Sequence, residues 1–168
     1  MKDFLNATGA FATVWLGCFI LTLCGLPTLG LSRAAFVTML VIVIMVHEQG
    51  HRFFMERAGL RTTIVLDLPY GMAIRSDPRD RAKAEALSFS VKTLIHLGGT
   101  IASFFLWIVT ALLGFVGIIE HRAMIALLSY DLVLIMFNLI PAKFVDGGQA
   151  LELYLAHRYK SNRAPIAE

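Results

Sequence analysis

Met39-Leu40-Val41-Ile42-Val43-Ile44-Met45-Val46-His47-Glu48-Gln49-Gly50-His51 decides the fold. Its first eight residues are apolar, and its last five carry two histidines and a glutamate. Ionisable groups are costly at membrane depth, so a functional reading is the default for them there. In a helix, positions i and i+4 share a face, so both imidazoles can bind one ion. Glu48 sits beside the first of them, where it can take a proton from metal-activated water. The pattern is H-E-x-x-H, the arrangement of zinc metalloproteases. Five histidines and six glutamates in 168 residues produce it by chance about 0.005 times per chain. The competing reading is a pair of helix-end histidines at the membrane interface.

Outward from this stretch, charge is sparse. Between Asp3 and Arg33 lie 29 residues without Lys, Arg, Asp or Glu. Between Arg33 and Arg52 lie 18, broken only by Glu48. Between Lys92 and Glu120 lie 27, and between Arg122 and Lys143 lie 20, broken only by Asp131. A helix needs about 20 mostly apolar residues to cross the hydrocarbon. The expected spans are therefore about 9–31, 34–54, 93–118 and 123–142, with room for a tilt or kink near Gly114 and Gly117. The first is expected to be a retained helix and not a cleaved signal, because its charged start is weak and no clean cleavage site follows. The fold class is an all-α integral membrane protein, one embedded domain over 1–168.

Composition agrees. Apolar residues make up 57% and charged residues 16%, against about 25% charged in a soluble domain. The net charge of +3 raises nucleic acid as a partner. The placement of Lys and Arg speaks for membrane topology instead. Thirteen fall on the side shared by the N-terminus, the segment 55–92 with its flank, and the tail 147–168 with its flank. Two, Arg33 and Arg122, fall on the other. The basic side is expected to be cytoplasmic. Cys18 and Cys24 are six apart, off one helical face, and predict neither disulfide nor metal pair.

The segment 55–92 is the sizeable polar stretch. Thr62 to Leu68 is rich in β-branched residues and predicts a strand, Pro69-Tyr70-Gly71 a turn, and Met72-Ala73-Ile74 the return. Asp77-Pro78 can start a helix. The run Arg79–Lys83 reads as a solvated, headgroup-facing surface.

Two histidines leave zinc short of ligands, since a catalytic site usually has three and an open position. The candidates are His96, His121, His157, Asp131 and Asp146. His121 falls on the wrong side. Asp131 lies about 20 Å from Asp146 if the chain between is helical. Asp146 lies at the depth of His47 and His51, after Pro141, which breaks a helix, and before Gly147 and Gly148, which allow a tight turn.

These motifs resemble the site-2 proteases, intramembrane zinc metalloproteases. His47 to His51 is followed by Arg57-Ala58-Gly59-Leu60. Pro69-Tyr70-Gly71-Met72-Ala73 resembles the family's glycine-containing turn. Leu97-Gly98-Gly99-Thr100 resembles the start of its next core helix. Asn138 to Gly148 resembles its N-P-D-G motif. The resemblance covers about residues 36–163. It implies one zinc per chain, with Asp146 as third ligand to His47 and His51, and Glu48 as general base and acid. It suggests that Asn138 holds the substrate or the oxyanion. It implies a minimal form without PDZ or CBS module, in a prokaryotic cell membrane, with N-terminus, active site and C-terminus on the cytoplasmic side. Lys143, Phe144, Thr100, Ser103 and Asp131 depart from the common pattern without removing a ligand or the base.

The expected partners are the bilayer and a membrane protein substrate, single-span in the simplest case; nucleic acid is not one. Buried peptide bonds of a membrane helix must unwind before cleavage. The hairpin, with Val65 and Gly71, is expected to offer an edge strand to the extended peptide. Gly98 and Gly99 are assigned to substrate binding, permitting close helix approach around the site; the simpler reading is ordinary packing. His96 is read as a core or interface histidine and Asp131 as a structural carboxylate. Two other functions compete: a catalytically silent adaptor that binds client helices, and a metal transporter. A transporter needs ligands along a path, whereas these cluster at one depth.

Overall fold

The computed structural model describes Gly25 and residues 31–67, 71–143 and 145–162. The expected span 9–31 therefore lies almost wholly outside the described residues, as does the turn Pro69-Tyr70. The described chain runs α1 (Arg33–Arg57), β1 (Thr62–Asp67), β2 (Gly71–Ser76), a 3-10 turn (Pro78–Asp80), α2 (Arg81–Ala86), α3 (Phe89–Phe115), α4 (His121–Asn138) and α5 (Asp146–Asn162). It is mostly helical, with a small two-stranded antiparallel sheet. Helices α1, α3 and α4 are long and apolar enough to cross a membrane.

Local chemistry sets the helix ends. Ser32 and Ser88 cap α1 and α3, their hydroxyls accepting from Ala35 N at 3.3 Å and Val91 N at 3.4 Å. Two glycines end the same helices. Gly59 has φ +73° and Gly117 φ +77°, the left-handed region that favours glycine. Each sits in a paired hydrogen-bond cap: Gly59 N to Glu56 O with Leu60 N to Met55 O, and Gly117 N to Gly114 O with Ile118 N to Leu113 O. Gly117 thus terminates α3 where the sequence suggested a kink within a longer span. Helix α4 ends at Asn138, short of the expected 142, because the approach to Pro141 disfavours helical backbone.

The bundle core is small. Phe36, Val37 and Val41 of α1 are fully buried, and the Phe36 ring meets Tyr130 of α4 edge-on at 4.8 Å. By contrast, Phe104, Phe105 and Leu112 of α3 and Val133 and Met136 of α4 are exposed. Large apolar side chains facing outward suit a hydrocarbon solvent. Helices α1 and α3 approach closely at a pair of glycines. A Cβ on Gly98 would meet Phe54 Cδ2 at 2.7 Å and the Gly50 carbonyl at 2.8 Å, so α1 and α3 touch backbone to backbone.

The two strands of the hairpin form close to where they are expected, except that Gly71, expected in the turn, opens β2, and β2 runs on to Ser76; Val65 stands opposite Ala73 and Ile64 opposite Ile74. Its base is braced by charge. Arg61 donates through its backbone N and its guanidinium to Asp80, with Nη2 2.7 Å from Oδ1. Arg79 pairs with Asp77 at 2.6 Å. Lys83 Nζ donates to the Gly59 carbonyl at 2.7 Å, closing the end of α1. The Arg79–Lys83 run, expected as a solvated surface, therefore also ties the hairpin to α1. The tail contains a further helix, α5, set against α3 in part by His157 stacking on Phe89 at 4.4 Å.

Candidate metal centre

Two helices bring three side chains to one point. His47 and His51 lie one turn apart near the end of α1, and Asp146 is the first residue of α5. His47 Nε2 and His51 Nε2 are 3.3 Å apart. Asp146 Oδ2 lies 3.1 Å from the first and 3.2 Å from the second. Ligand atoms at 2.0–2.1 Å from a tetrahedral zinc stand about 3.3–3.4 Å from one another. The triangle already has that size. One donor atom from each of His47, Glu48 and His51 also falls within 4.8 Å of the others.

Gly99 of α3 closes the cradle from below. A Cβ there would press on both Nε2 atoms and meet His47 Cδ2 at 2.7 Å. Only a residue without a side chain leaves the imidazoles their common space. Gly99 therefore borders the space between the two imidazoles that a cation would take. Gly98 packs on α1, the simpler of its two expected roles.

The far nitrogens are held as well. His51 Nδ1 donates to the Ile95 carbonyl at 2.8 Å, and His47 Nδ1 lies 3.2 Å from Ser103 Oγ. Such outer partners fix ring orientation and tautomer in metal sites. Burial works against ionising Asp146, but hydrogen bonds and charge from His47 and His51 outweigh it and hold the carboxyl down at about 2. Asp146 also lies at a helix N-terminus, where an anion is favoured. Gly147 and Gly148 do not form the expected turn. They lie in the first turn of α5, where a Cβ on Gly147 would meet the Asn138 carbonyl at 2.8 Å and one on Gly148 would meet the Ala142 backbone. Their smallness lets α5 begin hard against the loop after α4.

Glu48 does not join the triangle. Its Oε2 accepts from Ile74 N at 2.9 Å. That bond fixes which sheet edge faces the centre. Asp77 N donates to Arg61 O at 2.8 Å, so the odd-numbered pairs point into the ladder and Ile74 points out of it. Val65, opposite Ala73, has its backbone turned into the ladder. The edge beside the centre belongs to β2 at Ile74, and not to Val65 as expected from the sequence. Gly71 opens β2 opposite Asp67. Asn138 donates its amide to the Leu134 carbonyl at 3.0 Å, a bond within its own helix.

The other candidates lie outside the triangle, although His96 is near enough to feel the charges of Asp146 and His51. His96 lines a cavity of ≈ 510 Å³ bounded by the hairpin base, α2, α3 and Leu153, and none of His47, Glu48, His51 or Asp146 lines it. His121 starts α4 and His157 lies on α5. Asp131 is buried beside Ser103, where α4 packs on α3.

Three apolar helices, the first carrying a His-Glu-His cluster, suggest a multi-pass membrane protein with the makings of a metal site. Over 146 residues the chain is 26% identical to a zinc metalloprotease of Methanocaldococcus jannaschii, a match covering 84% of this chain and 41% of that protein. The chain thus spans about two fifths of the relative's length. No protein-family model matches. Similarity and cluster together support a zinc protease.

Proposed function

We propose that this protein is an intramembrane zinc endopeptidase of the site-2 type, hydrolysing a peptide bond in or near the transmembrane segment of a membrane protein. One observation carries the reading: three donor atoms 3.1 to 3.3 Å apart, from His47, His51 and Asp146, beside the carboxylate of Glu48. His47, His51 and Asp146 hold one zinc per chain. When bound, zinc polarises a carbonyl and lowers the pKa of water from 15.7 toward about 7. Glu48 accepts the proton of the attacking water and returns it to the departing amine as the carbon–nitrogen bond breaks. Ile74 N–H holds Glu48 Oε2 in place for both transfers.

The substrate must reach the site unwound, since helical carbonyls are already bonded. The outward edge of β2 is suited to take an extended segment by strand addition, beside Glu48. Asn138 joins the reaction by exchanging its bond to Leu134 O for one to the substrate. The basic side, with the active site, faces the cytoplasm, and the bilayer is the medium.

The test is cleavage of a single-span membrane protein by wild type and by Glu48→Gln. Wild type should cleave and the variant should not; equal cleavage refutes the mechanism. His47→Ala and Asp146→Ala should each lose zinc, and stoichiometric zinc in either refutes the ligand set.

A further inference from the structure

The cavity of ≈ 510 Å³ lies one step from the metal centre along α1, β2 and α3. Met55 lines it, one helical turn beyond His51 and about 6 Å along α1. Ser76 lines it, two residues beyond Ile74 and about 7 Å along β2. Ile95 lines it too, and the Ile95 carbonyl is the one that accepts from His51 Nδ1. Leu153, two turns beyond Asp146, adds the wall from α5.

Strand β2 leads into this space. Its even-numbered residues turn their backbone groups away from β1, as Ile74 N does toward Glu48. Ser76 is the next such position. Side chains alternate along a strand, so Ile74 and Ser76 also share a sheet face. Ile74 is buried on that face, and Ser76 borders the cavity. A peptide strand added to this edge with one residue opposite Ile74 brings its second neighbour opposite Ser76. That neighbour's side chain falls on the same face, beside the cavity.

The wall says what it can hold. Leu60, Leu87 and Pro78 join Met55, Ile95 and Leu153 in making it mainly apolar. Its carboxylates are already paired, Asp77 with Arg79 at 2.6 Å and Glu85 with Arg81 at 2.9 Å. Lys92 Nζ donates to the Glu85 carbonyl at 2.6 Å. A polar guest would give up water against such a wall, whereas an apolar one gains by leaving it. The volume falls within the roughly 300–1,000 Å³ of cavities that bury small organic groups, so the largest side chains can enter.

We propose that this cavity is a side-chain subsite of the protease: it takes a large apolar residue, such as phenylalanine, leucine or methionine, two or three positions from the bond that is cut. It rests on the reading of the protein as an endopeptidase that adds its substrate to β2. A substrate antiparallel to β2 presents this residue N-terminal to the cut, and a parallel one C-terminal to it.

The test digests a proteome-derived peptide library with the purified full chain in detergent, with Glu48→Gln as the blank, and reads the cut ends by mass spectrometry. Wild type should favour large apolar residues over alanine by at least about 10-fold at one position, two or three residues from the cut. Ala84→Trp adds bulk to the wall from α2 and should move that preference to alanine or glycine at this position alone, with zinc content unchanged. Leu153→Ala widens the cavity from α5 and should move it toward tryptophan. No preference there, a preference for acidic residues drawn by Lys92, or a preference that ignores both wall variants overturns the subsite and leaves the endopeptidase standing. Lipid that co-purifies with wild type and is lost from Ala84→Trp, with no residue preference, gives the cavity to an acyl chain and overturns the subsite as well. No cut that depends on Glu48 refutes the endopeptidase and this inference with it.

Discussion

Gly99→Ala adds one carbon where α3 passes under both imidazoles. Its Cβ would lie 2.7 Å from His47 Cδ2 and press on both Nε2 atoms. Carbon atoms in ordinary contact stand about 3.5–4.0 Å apart. Relief therefore takes a shift of about 1 Å, in α3 or in the rings. Metal–ligand distances hold within about 0.2 Å, so the shift exceeds the tolerance about fivefold. The rings have little freedom to move, because their far nitrogens are bonded to Ile95 O and Ser103 Oγ on the same helix. Zinc affinity should fall at least about 100-fold, on the scale of losing a ligand rather than an outer partner. Helix packing should suffer by only about 1–3 kcal/mol, the usual cost of overpacking. Gly114→Ala is the control, since its Cβ would press on Met124 of α4, about four turns along α3 from the imidazoles. The assay is zinc per purified chain, followed by chelator competition. Zinc affinity in Gly99→Ala within about threefold of wild type would refute the cradle.

Ile74→Pro removes the N–H that Glu48 accepts and should abolish most cleavage while zinc content stays at wild type; unchanged cleavage would separate β2 from the reaction. Asn138→Ala should lower cleavage with zinc unchanged, and full activity would confine Asn138 to its bond with Leu134 O. The hairpin base should loosen in acid. The guanidinium of Arg79 and its backbone N–H hold Asp77 at about 2, and Arg61 pulls Asp80 below the usual carboxylate range. Both folded values lie below the unfolded ones, so this support is complete above about pH 4 and is lost as pH falls toward 2. Protection of the Arg61 and Arg79 amides, taken relative to the intrinsic exchange rate at each pH, should fall across that window, and Asp77→Asn should remove part of the dependence. Protection unchanged across the window would refute it.

The reading of His47, Glu48 and His51 from sequence rests on a local rule. The i, i+4 spacing places two imidazoles on one face in any helix. The charge gaps are equally local, and the observed α1, α3 and α4 follow three of the four expected spans. The strands follow β-branched residues and flanking turn signals. Asp146 was singled out by its depth and by the family motif, and α5 delivers its carboxylate to both histidines.

The sequence alone determined which residues can bind a cation, and that they lie near one end of apolar helices, because periodicity and hydropathy are properties of short windows. Tertiary structure decided what those windows cannot contain. It set Gly99 under the imidazoles, since only the α1–α3 approach tells a cradle glycine from a packing one. It set β2 rather than Val65 beside Glu48, because ladder alternation depends on the register of two strands and on which edge meets α1. It also brought Asp131 beside Ser103, because the packing of α4 on α3 joins residues far apart in sequence.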